Sequence, residues 1–166
     1  GATVLIVAAT AVMAGGMAVA YYGNESMNYV APDEVAVLDE LYAGLPVGAL
    51  IVTQTDNPPT RHTRYEEFEY RTLAAVARDL PVRDGSLDAD ELAAAMTEAG
   101  GADVYLLLTR SQRAKAKLFG FLPDIDWEAF EAALSESHQF EIVFRTDGGS
   151  VFTTAADPVP EGEVAP

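Results

Sequence analysis

Cysteine is absent from all 166 residues. That excludes disulfides, thiolate nucleophiles and zinc sites built on sulfur ligands. Histidine is nearly absent: His62 and His138 stand alone in the sequence. Two isolated imidazoles do not suggest a metal cluster, and surface or loop positions are expected for both. Positive charge is also scarce. Ten basic side chains face 26 acidic ones, for a formal net charge of −16, and the only lysines are Lys115 and Lys117. Such a surface repels nucleic acid, so no nucleic-acid partner is expected. Catalytic signatures are missing too. No G-x-G-x-x-G follows a strand, and there is no G-x-S-x-G and no G-K-[ST], so no cofactor is expected.

Charge of either sign is missing from Gly1 to Asn24. Within that stretch, Thr3 to Tyr22 is a continuous apolar run. About 20 helical residues span the ~30 Å hydrocarbon layer of a bilayer. A signal peptide would carry a start Met and a basic leading segment, and a buried core element is usually shorter. A transmembrane helix over residues 1–24 is therefore expected, in contact with membrane lipid. Ala9, Ala14, Gly15 and Gly16 would allow close helix contact, and Tyr21 and Tyr22 would sit at the interface. No Lys or Arg follows until Arg61, whereas Glu25, Asp33, Glu34, Asp39 and Glu40 come soon after the run. A flank without positive charge is normally the exported side. The expected location is the cell membrane, with residues 25–155 forming an extracytoplasmic domain. The chain is expected to be the C-terminal end of a larger membrane protein.

The remaining sequence alternates helical and strand-like segments. Pro32 fits the first turn of a helix that Gly44 ends, with Val35, Leu38, Leu41 and Tyr42 on one face. Residues 48–53 (GALIVT) read as a buried strand, and a polar loop runs on to about Arg64. Tyr65 to Leu80 reads as one helix with Phe68, Leu73, Val76 and Leu80 inward. Asp84-Gly85 marks a turn, and Asp88 or Ser86 caps a helix over 89–99. Residues 103–109 (DVYLLLT) are a second strand, Ser111 caps a helix to Phe119, and Asp126 caps another over 127–134. Residues 139–146 and 150–154 form an antiparallel hairpin about Asp147-Gly148-Gly149. The result is a Rossmann-like α/β sandwich of about four strands, mostly parallel with an antiparallel C-terminal edge strand. Residues 156–166, rich in proline and acid, read as a disordered tail. Asn24-Glu25-Ser26 matches a glycosylation sequon.

Ligands of open parallel sheets gather at the carboxyl ends of the strands. The segments leaving those ends are 54–65 and 109–111. Arg61, Arg64, Tyr65 and Arg110 are the candidate binding residues there. Guanidinium groups offer forked donors, Tyr65 a flat face with a hydroxyl, and Arg110 lies at a helix N-terminus that favours an anion. No catalytic or metal-binding residue is assigned. The plainer reading is that these residues cap strands and pair with neighbouring acids. Arg113, Lys115 and Lys117 form a basic cluster that reads as a solvated helix face.

A family pattern runs through the chain. After the apolar run come Ala31-Pro32-Asp33-Glu34-Val35, residues 45–52 (LPVGALIV) and Tyr65-Glu66-Glu67-Phe68. Residues 103–112 (DVYLLLTRSQ), 132–137 (AALSES) and 140–144 (FEIVF) follow. This resembles the C-terminal extracytoplasmic region of multi-pass prokaryotic glycosyltransferases of the GT-C type, which use polyprenyl-phosphate-linked sugars. The resemblance implies an accessory domain that helps to position lipid-linked donor or glycan acceptor, packed with the remaining membrane helices of its parent. In that family the catalytic acids lie between early membrane helices, so none is carried onto this chain. The alternative is a non-enzymatic, membrane-anchored extracytoplasmic binding or interaction module.

Overall fold

A computed structural model describes residues 1–22, 29–56 and 64–155, with residues 20–22 as backbone only. Arg61, His62, the sequon, the interfacial tyrosines' side chains and the acidic tail lie outside the described residues. Helix α1 spans Ala2–Tyr22. It is apolar on every side, and none of Ala2–Val19 is buried. A helix without a polar face has no stable place on a water-exposed surface. This one is long and apolar enough to cross a membrane.

The rest is an α/β sandwich. Helix α2 (Pro32–Gly44) is followed by strand β1 (Leu50–Thr53) and a 3₁₀ turn at Tyr65–Glu67. Strand β2 (Glu69–Thr72), helix α3 (Leu73–Val76) and the short strands β3 (Val82–Arg83) and β4 (Ser86–Leu87) come next. Helix α4 (Ala89–Gly100), strand β5 (Val104–Thr109), helices α5 (Arg110–Phe119) and α6 (Trp127–Glu136), and strands β6 (Phe140–Thr146) and β7 (Gly149–Thr154) complete it. The main sheet has the order β2-β1-β5-β7-β6. β2, β1 and β5 are parallel, while β7 pairs antiparallel with β5 and β6. The sheet is thus mostly parallel with an antiparallel C-terminal pair. β7 inserts beside β5, which leaves β6 at the edge.

Alternation along the strands builds two cores. Leu50, Val52, Leu106, Leu108 and Phe152 face α4 and α6, where Leu92, Met96, Trp127 and Phe130 are fully buried. Ile51, Leu107 and Val151 face α2, meeting Val37, Leu38, Leu41 and Tyr42. A fully buried Leu or Phe contributes ~1.5–3 kcal/mol, so these two layers dominate the fold's stability.

One predicted element is corrected. Tyr65 to Leu80 is not one helix. Phe68 belongs to the core beneath α2, whereas Leu73, Val76 and Leu80 pack into the opposite core. A single helix would put its apolar stripe on one side of the sheet only. The alternation Phe68-Glu69-Tyr70-Arg71-Thr72 instead makes a parallel edge strand on β1, so the sheet has five strands rather than four. The predicted turn at Asp84-Gly85 does form, with φ of 50° and 80°. Positive φ at both central residues is what a tight type I′ hairpin demands.

Candidate functional site

β1 sends the chain to β2 on one side, while β5 sends it through α5 and α6 to β6 on the other. The carboxyl ends of β1 and β5 therefore flank a topological switch point. The described buried polar residues concentrate there. Glu34, Thr53, Gln54, Thr55, Thr109, Ser111 and Gln112 are each 4% exposed or less.

Their hydrogen bonds tie the two strand ends together. Gln54 Oε1 accepts from the Thr109 amide at 2.9 Å, and Gln112 Oε1 accepts from the Thr55 amide at 3.2 Å. Each glutamine thus reaches across from one strand end to the backbone of the other. Thr53 Oγ1 donates to the Thr55 carbonyl at 2.7 Å. Thr109, not Ser111, caps α5, its hydroxyl accepting from the Gln112 amide at 3.4 Å. Among the described residues, three side-chain groups at these strand ends are without a partner, Gln54 Nε2, Gln112 Nε2 and Thr55 Oγ1, as are Arg113 Nε and Glu91 Oε2 elsewhere. A buried donor left unpaired costs ~1–3 kcal/mol, so each such group calls for a physical explanation.

The N-termini of α2 and α5 meet at the same place. Glu34 is fully buried. Its Oε1 accepts from the Ser111 amide at 2.6 Å, and its Oε2 accepts from the Ala31 amide at 3.2 Å. Glu34 thereby closes the capping box of α2 and supplies the anion that the α5 N-terminus attracts. Gly148, at the tip of the β6–β7 hairpin, lies against this junction. A Cβ there would come within 2.5 Å of the Asp33 carbonyl carbon and the Glu34 amide nitrogen. The Arg110 amide donates to the Gly148 carbonyl at 3.2 Å.

Of the sequence-derived site residues, Arg61 lies outside the described residues, and Arg64, Tyr65 and Arg110 do not converge. Arg110 stands at the switch point, 57% exposed, with Nη2 3.1 Å from Asp33 Oδ1. Arg64 and Tyr65 lead instead into the amino end of β2, beside Gly48, whose amide donates to the Glu67 carbonyl at 2.7 Å. Arg64 pairs with Glu67 at 2.7 Å, donates to the Tyr42 carbonyl and lies over the Phe68 ring. Tyr65 stacks on Tyr70 with ring centroids 4.7 Å apart. Asp33 and Tyr42, the partners of the two arginines, sit near opposite ends of α2, ~13 Å apart at 1.5 Å per residue. The expectation that both loops leave one sheet edge fails because β2 runs parallel to β1: the segment before β2 lies at the edge opposite β1's carboxyl end.

Beside Arg110, a cavity of about 210 Å³ opens against Arg113, Glu131, Arg145 and Ser150. Arg113 Nη2 lies 2.6 Å from Glu131 Oε2, and Ser150 donates to Glu131 Oε1 at 2.6 Å. On its other side α5 presents Lys115, whose Nζ lies 2.8 Å from Asp56 Oδ1. That hydrogen bond, and the charge behind it, hold the Asp56 carboxyl below its ordinary range. A roomier cleft, about 700 Å³, is walled by Ala93, Ala94, Thr97 and Gly101 among others. Among the described residues it has no unpartnered buried donor in its lining, which favours the switch point as the candidate site. No group of three or more metal-ligating side chains occurs among the described residues.

Comparison with protein-family models, with curated proteins and with solved structures gave no match. The likeness to GT-C glycosyltransferases therefore rests on the sequence pattern alone. Sequence reasoning passed over Glu34, Gln54 and Gln112 as site residues. The available signal was a glutamine placed just beyond each of two buried parallel strands.

Proposed function

We propose that this chain is a membrane-anchored binding domain, held by α1, that takes a polyhydroxylated ligand at the carboxyl ends of β1 and β5. The observation that carries the reading is the pair of buried glutamine amides and the Thr55 hydroxyl, three unpartnered groups at one switch point. Neutral amides and hydroxyls suit sugar hydroxyls, which both donate and accept. Shielded from bulk water, such bonds are stronger than at a surface. Arg110, more exposed at the same edge, adds a forked donor for a phosphate.

The resemblance extends this reading to an accessory extracytoplasmic domain of a membrane glycosyltransferase, positioning lipid-linked donor or glycan acceptor. The uncharged run followed by acidic residues supports the exported orientation. A non-enzymatic binding module without a glycosyltransferase parent draws on the same site, since hydrogen-bond donors alone bind without reacting. Titrating the full chain in nanodiscs with a short-chain polyprenyl-phosphate hexose tests the binding. The expected result is saturable perturbation of the Thr55 and Thr109 amide resonances, weakened by about tenfold in Arg110→Ala. Unchanged resonances at both amides would refute it. A gene encoding many hydrophobic segments upstream of α1 would favour the glycosyltransferase parent, and a lone segment the independent module.

A further inference from the structure

Among the described residues, the acidic surface of the domain carries an apolar ridge beside a lysine at the end of α5. Helix α5 carries Arg110, Arg113, Lys115 and Lys117 and no acid; the first three pair with Asp33, Glu131 and Asp56, which leaves Lys117 as its one cation outside an ion pair among the described residues. Its last turn and the residues beyond it expose Leu118 (52%), Phe119 (56%) and Phe121 (36%). The Phe119 and Phe121 rings lie 6.3 Å apart and tilted, forming one small ridge, with exposed Lys117 beside it. Gly120, in the left-handed region at φ 68°, turns the chain so that both rings stay outside the core. Elsewhere among the described residues of the domain, exposed large apolar side chains occur singly or as the edge-strand pair Ile142 and Val143.

We propose that this ridge rests in the headgroup layer of the bilayer that holds α1, with Lys117 reaching lipid phosphates. The inference rests on α1 being a membrane span. Aromatic and leucine side chains beside a lysine are the chemistry of an interfacial contact, because the rings enter the acyl boundary while the ammonium group stays with the phosphates. Reach supports it. The chain enters the domain at Ala31, and the Arg110–Asp33 pair sets the start of α5 beside that entry. The ten residues of α5 carry its tip ~15 Å onward. The nine peptide units between Tyr22 and Ala31 extend to at most ~30 Å, so the tip can lie at the membrane surface without any loss of fold. The overall charge of −16 resists such a contact at other faces, which leaves the α5 tip as the favoured approach. Asp124 is the nearest acid in sequence and limits how much of the following loop can enter.

The protein lacks native cysteine, so single labels can be placed cleanly. Spin labels at Leu118→Cys, Glu98→Cys and Val12→Cys in the full chain, in phosphatidylcholine vesicles with and without phosphatidylglycerol, would be tested for collision with oxygen and with a water-soluble nickel chelate. The expected result is oxygen-dominated collision at positions 12 and 118 and nickel-dominated collision at 98. Adding phosphatidylglycerol should deepen position 118, and Lys117→Glu with Phe121→Ser should return it to the behaviour of position 98. Lipid exposure at 12 with water exposure at 118 would overturn the proposal while leaving the anchor intact. Water exposure at 12 would overturn the anchor, and the proposal with it. A label at 118 shielded from both reagents would show a protein contact there and would also overturn it.

Discussion

Replacing Glu34 by alanine should unlock the junction on which the candidate site is built. The carboxylate accepts from the Ser111 amide at 2.6 Å and from the Ala31 amide at 3.2 Å. Both donors belong to buried residues. Alanine leaves the two N–H groups unpaired, at ~1–3 kcal/mol each. Relief from burying a charge offsets part of this. The net loss should be about 3 kcal/mol, or roughly 10 °C in Tm for a domain of this size. Glu34→Gln keeps one acceptor and should lose about half as much. Urea denaturation of the full chain in detergent, followed by far-UV circular dichroism, gives the difference directly. A Glu34→Ala variant within ~0.5 kcal/mol of wild type would refute the view that one side chain holds two helix N-termini.

The two ends of α2 give one further outcome each. Gly148→Ala should destabilise by ~1–3 kcal/mol, because its Cβ meets the Asp33–Glu34 backbone at 2.5 Å rather than a side chain that can move; a thermal melt within error of wild type would contradict it. Tyr70 is held neutral above the ordinary phenolic value of 10.0, first by burial and then by its 3.0 Å hydrogen bond to Tyr42. The unfolded chain ionises near that ordinary value and the folded one does not, so this contribution is complete below pH 10 and is lost as pH rises. Tm should fall progressively as pH rises above about 10, and Tyr70→Phe should flatten that decline; an equally steep fall in the variant would assign it elsewhere.

The sequence disclosed most elements where local signals agreed. Pro32 with Asp33 and Glu34, the Asp88 and Asp126 caps, and the apolar runs at 50–53 and 104–109 each mark a boundary that the structure keeps. It misled where two periods competed. Glu66, Glu67 and Glu69 are good helix formers, and they mask the alternation of Phe68 and Tyr70 that makes β2. The short β3–β4 hairpin has too few residues to show any period. The site was legible only in part. The rule that ligands gather at strand ends located Arg110 correctly on the sheet, but it cannot tell which loop belongs to which edge until the pairing of β2 is known. Glu34 reads in sequence as an ordinary first-turn acid, because its bond to Ser111 spans 77 residues.

The most direct test of the binding reading is Thr55→Val, a near-isosteric change that deletes the unpartnered hydroxyl and leaves the Thr55 amide free to donate to Gln112. Affinity for the polyprenyl-phosphate hexose and ligand-free stability would be measured on the same sample of the full chain. If the hydroxyl is there for a ligand, the free protein should gain about 1 kcal/mol and binding should weaken about fivefold or more. A variant that is less stable yet binds as wild type would contradict the account, by showing that the Thr55 hydroxyl serves the fold and not a ligand.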